Sequence, residues 1–132
     1  MFELKKITKQ YGQTTVLHET TLTVNDGEFF VLVGASGSGK TTLLKLLNRL
    51  LEPTSGTILR NGNPLHDLNL RSLRLDTGYV LQQIALFPNL TVGENIALVP
   101  SMKHIDKNEI RRRSHLWLEK TGLDPLQSHG LI

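Results

Sequence analysis

The residues Gly34-Ala35-Ser36-Gly37-Ser38-Gly39-Lys40-Thr41-Thr42 bring together the groups needed to hold a polyphosphate. Gly34, Gly39, Lys40 and Thr41 satisfy the spacing G-x-x-x-x-G-K-[ST]. Glycines at 34, 37 and 39 permit backbone dihedrals closed to other residues, so successive N–H groups can turn inward around phosphate oxygens. In regular structure each glycine costs about 0.5–1 kcal/mol relative to alanine, which makes the run a poor choice for stability alone. Lys40 offers a point charge to the β- and γ-phosphates, and a helix starting beside it aims its positive end at the same anion. The Thr41 hydroxyl suits Mg²⁺, and Thr42 can donate to the α-phosphate. The competing reading is an ordinary Gly/Ser turn, but a chance match in a chain of this length is on the order of half a percent.

Such a loop needs a strand before it and a helix after it, and the flanking residues offer both. Phe29-Phe30-Val31-Leu32-Val33 is a continuous apolar run bounded by turn residues, the pattern of a strand buried on both faces of an α/β sheet. Leu43, Leu46, Leu47, Leu50 and Leu51 share one helical face that must lie on that sheet, and Pro53-Thr54-Ser55-Gly56 breaks the helix. Upstream, Phe2–Ile7 and Leu22–Val24 alternate as half-exposed antiparallel strands, the second ended by Asn25-Asp26-Gly27. Downstream, Thr57–Arg60 forms a short strand and Asn61-Gly62 a hairpin turn. Tyr79-Val80-Leu81 reads as a second apolar strand running into Gln82. Thr91 and Glu94 have capping-box spacing for a helix that Pro100 soon stops. Asp106 with Glu109 starts another, with Ile110, Trp117 and Leu118 on one face and Gly122 closing it, while Leu123–Ile132 has no clear periodicity.

Composition sets outer limits. At 132 residues the chain fits one domain, or a piece of one, with a modest core. Its formal charge of +3 is too small to argue for nucleic acid or a membrane surface as partner, and Arg111-Arg112-Arg113 reads as a solvated helix face. With no cysteine there is neither a disulfide framework nor a thiolate metal site, and a reducing cytosol is the easiest compartment to reconcile with that. The five histidines lack ligand spacing, so none is assigned to a metal. No secretory signal is evident, and no stretch approaches the ~18 apolar residues of a membrane span.

Three segments, "YGQTTVL", "VGASGSGKTTLLKLLNRLLEPTSGTI" and "GYVLQQIALFPNLTVGENIAL", extend the loop into a wider resemblance. Together they resemble the ATP-binding subunit of ABC transporters over nearly the whole chain. "LLNRLLEPTSG" and "LQQIALFPNLTVGENIALVP" look most like the importers of quaternary-amine osmoprotectants such as glycine betaine, carnitine and choline. The resemblance implies an α/β P-loop NTPase-type fold, with residues 1–132 forming the N-terminal portion of one ABC domain: an antiparallel β subdomain plus the start of the parallel-sheet core. It implies ATP and Mg²⁺ as ligands. Partners would be a transmembrane permease and a second ATP-binding subunit, on the cytoplasmic face of the membrane.

Position by position, the resemblance makes Tyr11 the aromatic that stacks on adenine and Val16 the apolar residue near the same ring. Stacking gives a base ~1–3 kcal/mol, although the residue alone also reads as an ordinary strand-end aromatic. Residues Gly34, Ala35, Ser36, Gly37, Ser38, Gly39, Lys40, Thr41 and Thr42 cradle the phosphates, with Lys40 also catalytic and Thr41 on the metal. Gln82 becomes the glutamine whose amide oxygen reaches Mg²⁺ or the attacking water; by itself it reads equally as a turn hydrogen-bonder. Ile84–Asn89 resembles the part that meets the permease, with a local packing plug as the alternative for Leu86-Phe87-Pro88.

The family also uses a Walker B strand ending in Asp-Glu, an LSGGQ signature and a switch histidine, and these 132 residues hold none of them. Ser-Gly pairs occur only at Ser36, Ser38 and Ser55, none followed by Gly-Gln. Loss of such groups costs factors of ~10²–10⁴ each, so the expectation is a truncated domain that binds ATP and barely turns it over. A short binding module without turnover is the second reading. A small-molecule kinase is a third, disfavoured by the contexts of Tyr11 and Gln82 and by the lack of an acceptor site and lid arginines. A domain of this kind would also leave Phe29–Val33 with an exposed apolar edge.

Overall fold

The computed structural model describes residues 1–83 and 86–124. Two units divide the chain, Met1–Thr77 and Gly78–Ile132. In the first, β1 (Phe2–Tyr11) and β2 (Thr14–Val24) form a long antiparallel hairpin, with β3 (Ser55–Arg60) on the other side of β1 and β4 (Asn63–Pro64) outermost. Every pairing in the order β2-β1-β3-β4 is antiparallel. The expected antiparallel strands are therefore present, and both strands of the hairpin run longer than their apolar alternation indicated.

β1 also breaks the strict period of two. Leu4 and Ile7 are both buried although they lie three positions apart, because the register shifts between them and Lys6 takes φ 50°. A bulge of this kind inserts one residue and returns the next apolar side chain to the core face. The partner strand must make room for it: a Cβ on Gly56 would lie 2.3 Å from the Lys6 carbonyl oxygen. Asn61 and Gly62 both have positive φ, 51° and 80°, as a two-residue turn between β3 and β4 requires.

α1 (Lys40–Leu47) lays Leu43 and Leu46 on this sheet, in a core with Leu4, Ile7, Leu17, Ile58, Leu65 and Leu73. The helix ends before the Pro53 breaker that sequence pointed to. Asn48 caps it and Arg49 turns left-handed at φ 50°, so Arg49 N donates to Leu46 O at 3.0 Å and Leu50 N to Lys45 O at 2.8 Å. This Schellman closure satisfies the terminal carbonyls and leaves Leu50 exposed. A short helix that periodicity did not indicate, α2 (Leu70–Leu75), delivers Leu73 to the core and Arg74 to the end of α1, where its guanidinium donates to Arg49 O at 2.8 Å.

The apolar runs expected as central strands take a different state. Phe29–Val33 and Tyr79–Leu81 form no strand; Phe29 is 93% exposed, Val33 91% and Val80 95%. A buried parallel strand needs neighbours on both edges to take its N–H and C=O groups, and no described residue pairs with either run. Residues Phe29 to Leu32 instead line an apolar cavity of about 700 Å³ with Phe2, Leu22 and α1.

In the second unit, α3 (Val92–Met102) starts at the expected capping box, Thr91 Oγ1 accepting from Glu94 N while the Glu94 carboxylate accepts from Thr91 N. The bond from Thr91 N, and after it one that Thr91 Oγ1 donates to the same carboxylate at 2.8 Å, hold the Glu94 carboxyl below its usual pKa. Pro100 does not stop the helix, which continues to Met102. α4 (Lys107–Lys120) is capped by Asp106 and closed at Gly122, with Ile110 and Leu118 buried; Trp117, expected on the same face, is 58% exposed. The arginine run is split. Arg112 and Arg113 pair with Glu109, lowering its pKa to about 2, whereas Arg111 lines a groove with Lys107 and His115. Among the described residues no helix is long and apolar enough to cross a membrane.

Candidate phosphate-binding site

Residues Gly34–Thr42 form a loop that runs into the first turn of α1. Ser38 N donates to Ala35 O at 3.2 Å, closing a tight turn at the loop's tip. Gly39, the residue before α1, has φ 90°, a left-handed conformation that L side chains avoid. A Cβ there would also stand 2.8 Å from the Val16 carbonyl oxygen, so this position is closed to side chains on two independent grounds. A Cβ on Gly34 would meet Ser38 Oγ at 2.7 Å. The loop is thus a cradle built around missing side chains, as a backbone approach to phosphate requires.

Lys40 completes the cradle. Its ammonium donates to Gly34 O and Ala35 O, both at 2.7 Å, and to Ser38 Oγ at 3.2 Å. All three donors are directed into the loop, which holds the positive charge over the helix N-terminus. No side chain caps α1 and no acidic residue sits in its first turn. The first N–H groups of a helix have no partner within it, so at α1 they remain free to meet an anion. Thr41 is exposed and Thr42 half-buried in that first turn.

Tyr11 and Val16 belong to the same unit as the loop. Tyr11 ends β1 opposite Thr14, is 49% exposed, and has the Lys9 ammonium 5.0 Å from its ring centroid. Val16 lies in β2, half-buried, with its carbonyl against Gly39. Gln82 is in the second unit, exposed and in a bend rather than at a strand end. Among the described residues no group of three or more His, Asp or Glu could hold a metal ion.

Of the Ile84–Asn89 segment, Ile84 and Ala85 lie outside the described residues. Leu86 and Phe87 are 51% and 52% exposed, which speaks against a packing plug. Their backbone is held by a residue that sequence did not single out. Asn95 Oδ1 accepts from Phe87 N at 2.8 Å, and Asn95 Nδ2 donates to the carbonyls of Phe87, Leu90 and Thr91 at 3.0–3.2 Å. Its one visible signal is its place immediately after Glu94 of the capping box.

Comparison with known proteins adds a family to this geometry. Residues 17–131 match the family described as ABC transporter. The chain is 43% identical over 129 residues to the osmoprotectant import ATP-binding protein OsmV of Salmonella typhimurium, covering 94% of this chain and 34% of that protein. It is 39% identical to the glutamine transport ATP-binding protein GlnQ of Escherichia coli, covering 98% of this chain and 55% of that one. Among solved structures, a dimeric post-hydrolysis ATP-binding cassette, MJ0796, bound to ADP and Pi superposes with TM-score 0.84 at 32% identity, covering 99% of this chain and 61% of that one. The chain thus spans only part of each of these proteins, 34% of OsmV.

Proposed function

The chain belongs to the ABC transporter family, and from that premise we propose that it carries the phosphate-binding half of the ATP site of an importer for quaternary-amine osmoprotectants. The observation that carries this reading is the Lys40 cradle, closed to side chains at Gly39 and open at an uncapped helix N-terminus. A triphosphate fits it by simple exchange. Lys40 gives up its longest bond, to Ser38 Oγ, for a phosphate oxygen, while the backbone N–H groups of Gly37 and Gly39–Thr42 take the rest of the negative charge. Tyr11 stacks on the adenine beside Val16. The Thr41 hydroxyl would hold Mg²⁺, which when bound would supply charge to neutralise the outer phosphates; Gln82 enters as a further metal ligand by the family resemblance alone.

Gln82 also positions the attacking water, and the exposed Leu86-Phe87-Pro88 loop meets the permease on the cytoplasmic face of the membrane, where two ATP-binding subunits work as a pair. The substrate class is supported by the likeness to OsmV, whose name states osmoprotectant import, and GlnQ marks the amino-acid importers as its competitor. Within these 132 residues there is no Walker B strand ending in Asp-Glu and no LSGGQ, so this stretch by itself binds ATP without appreciable turnover.

Calorimetry with MgATP on the 132-residue chain and on Lys40→Ala tests the reading. Wild type is expected to bind, Lys40→Ala to lose at least tenfold in affinity, and phosphate release to be equal in the two. Equal affinity in both, or robust Lys40-dependent turnover, overturns it. Uptake of labelled glycine betaine against glutamine in cells carrying Lys40→Ala separates the two substrate classes.

A further inference from the structure

Lys9 stands beside the proposed adenine platform without belonging to any motif. Its ammonium donates to the Glu52 carbonyl at 2.7 Å and lies 5.0 Å from the centroid of the Tyr11 ring. The backbone around it is tied to the segment after α1 twice more, Thr54 N donating to Thr8 O at 2.8 Å and Gln10 N to Thr54 Oγ1 at 2.9 Å. The cation is therefore held over the ring from a fixed frame rather than swinging in solvent. It lies over the ring of a residue that is 49% exposed.

From this geometry we infer that Lys9 is a positioning residue for base recognition: it fixes the Tyr11 ring from behind and leaves the opposite face for a purine. A cation on one face of an aromatic ring is attracted by its π density and polarises it, so the free face becomes a better partner for the electron-rich adenine. The inference rests on the nucleotide reading of the site, and it adds a residue that acts only on the base. The phosphates have their own cation in Lys40, tied into the loop by three bonds.

The test compares affinities for MgATP and for magnesium inorganic triphosphate in the 132-residue chain. Variants are Lys9→Met, Lys9→Gln, which keeps a donor for the Glu52 carbonyl without the charge, and each combined with Tyr11→Ala. Wild type is expected to prefer ATP. Both Lys9 variants should lose about threefold to tenfold for ATP with triphosphate binding unchanged, and that unchanged binding also reports an intact fold. In the Tyr11→Ala background the Lys9 effect should vanish. Equal losses for the two ligands, full ATP preference in both variants, or an effect that survives Tyr11→Ala overturns the inference and leaves the phosphate site standing. A wild type that binds neither ligand overturns the nucleotide reading itself, and this inference with it.

Discussion

Gly39 shows how tightly a single position can be specified. Its φ of 90° and the Val16 carbonyl 2.8 Å from the place of its Cβ exclude a side chain in separate ways. Gly37, in the same loop at φ 80°, meets only the first constraint, since a Cβ there would enter open space. Gly37→Ala should cost the left-handed penalty of about 1–2 kcal/mol, and Gly39→Ala measurably more, because the β2 backbone must also give way. Urea unfolding of the two variants checks the order, and equal midpoints would refute it. The loop's spacing was legible because glycine, lysine and threonine are chosen there for chemistry that few alternatives supply. The abutment of Gly39 on Val16 was not, since it joins residues far apart in the chain.

At the scale of elements, the local rules held best where the bonding is local. The Thr91–Glu94 box, the Asp106 cap, the Gly122 closure and the Asn61-Gly62 turn all form as their spacing indicates. They failed where distant groups decide: α1 ends at Leu47, with Arg74 bonded to the Arg49 carbonyl just beyond it, and Leu4 and Ile7 share a face through a bulge seated against Gly56. The lowered pKa of Glu94 gives the α3 cap a pH dependence. A carboxyl depressed in the folded state stabilises above its unfolded value of 4.5 and loses that contribution as pH falls through the folded value. Glu94→Gln should therefore lower the urea midpoint at pH 7, with the difference from wild type closing as the solution is acidified below 4.5. A difference that stays constant with pH would sink this account.

For the whole molecule, the dominant fact is apolar surface without partners. Phe29, Val31, Val33 and Val80 are all more than half exposed, and the 700 Å³ cavity beside α1 is lined largely by hydrocarbon. Exposed patches of this size bind other surfaces, and unpaired backbone in an extended apolar run templates strand addition. The 132-residue chain should bind a hydrophobic dye and self-associate as its concentration rises. The double variant Phe29→Lys/Val33→Lys should reduce both, with far-UV circular dichroism unchanged because neither side chain belongs to the core. Light scattering that shows a monomer at high concentration in wild type would count against this.

The sequence by itself determined the phosphate loop, the caps and turns, the antiparallel hairpin and the family resemblance that the comparisons bear out. Each of these depends on residues close in the chain or on chemistry specific to a few side chains. Tertiary structure decided the rest: that Phe29–Val33 remains outside the sheet, that Arg111 lines a groove with Thr91 and Glu94, and that Lys9 stands over Tyr11. The physical reason is the same in all three. An apolar run becomes a strand, and a surface cation acquires a role, only when a distant segment supplies the hydrogen bonds, charge or ring that faces it.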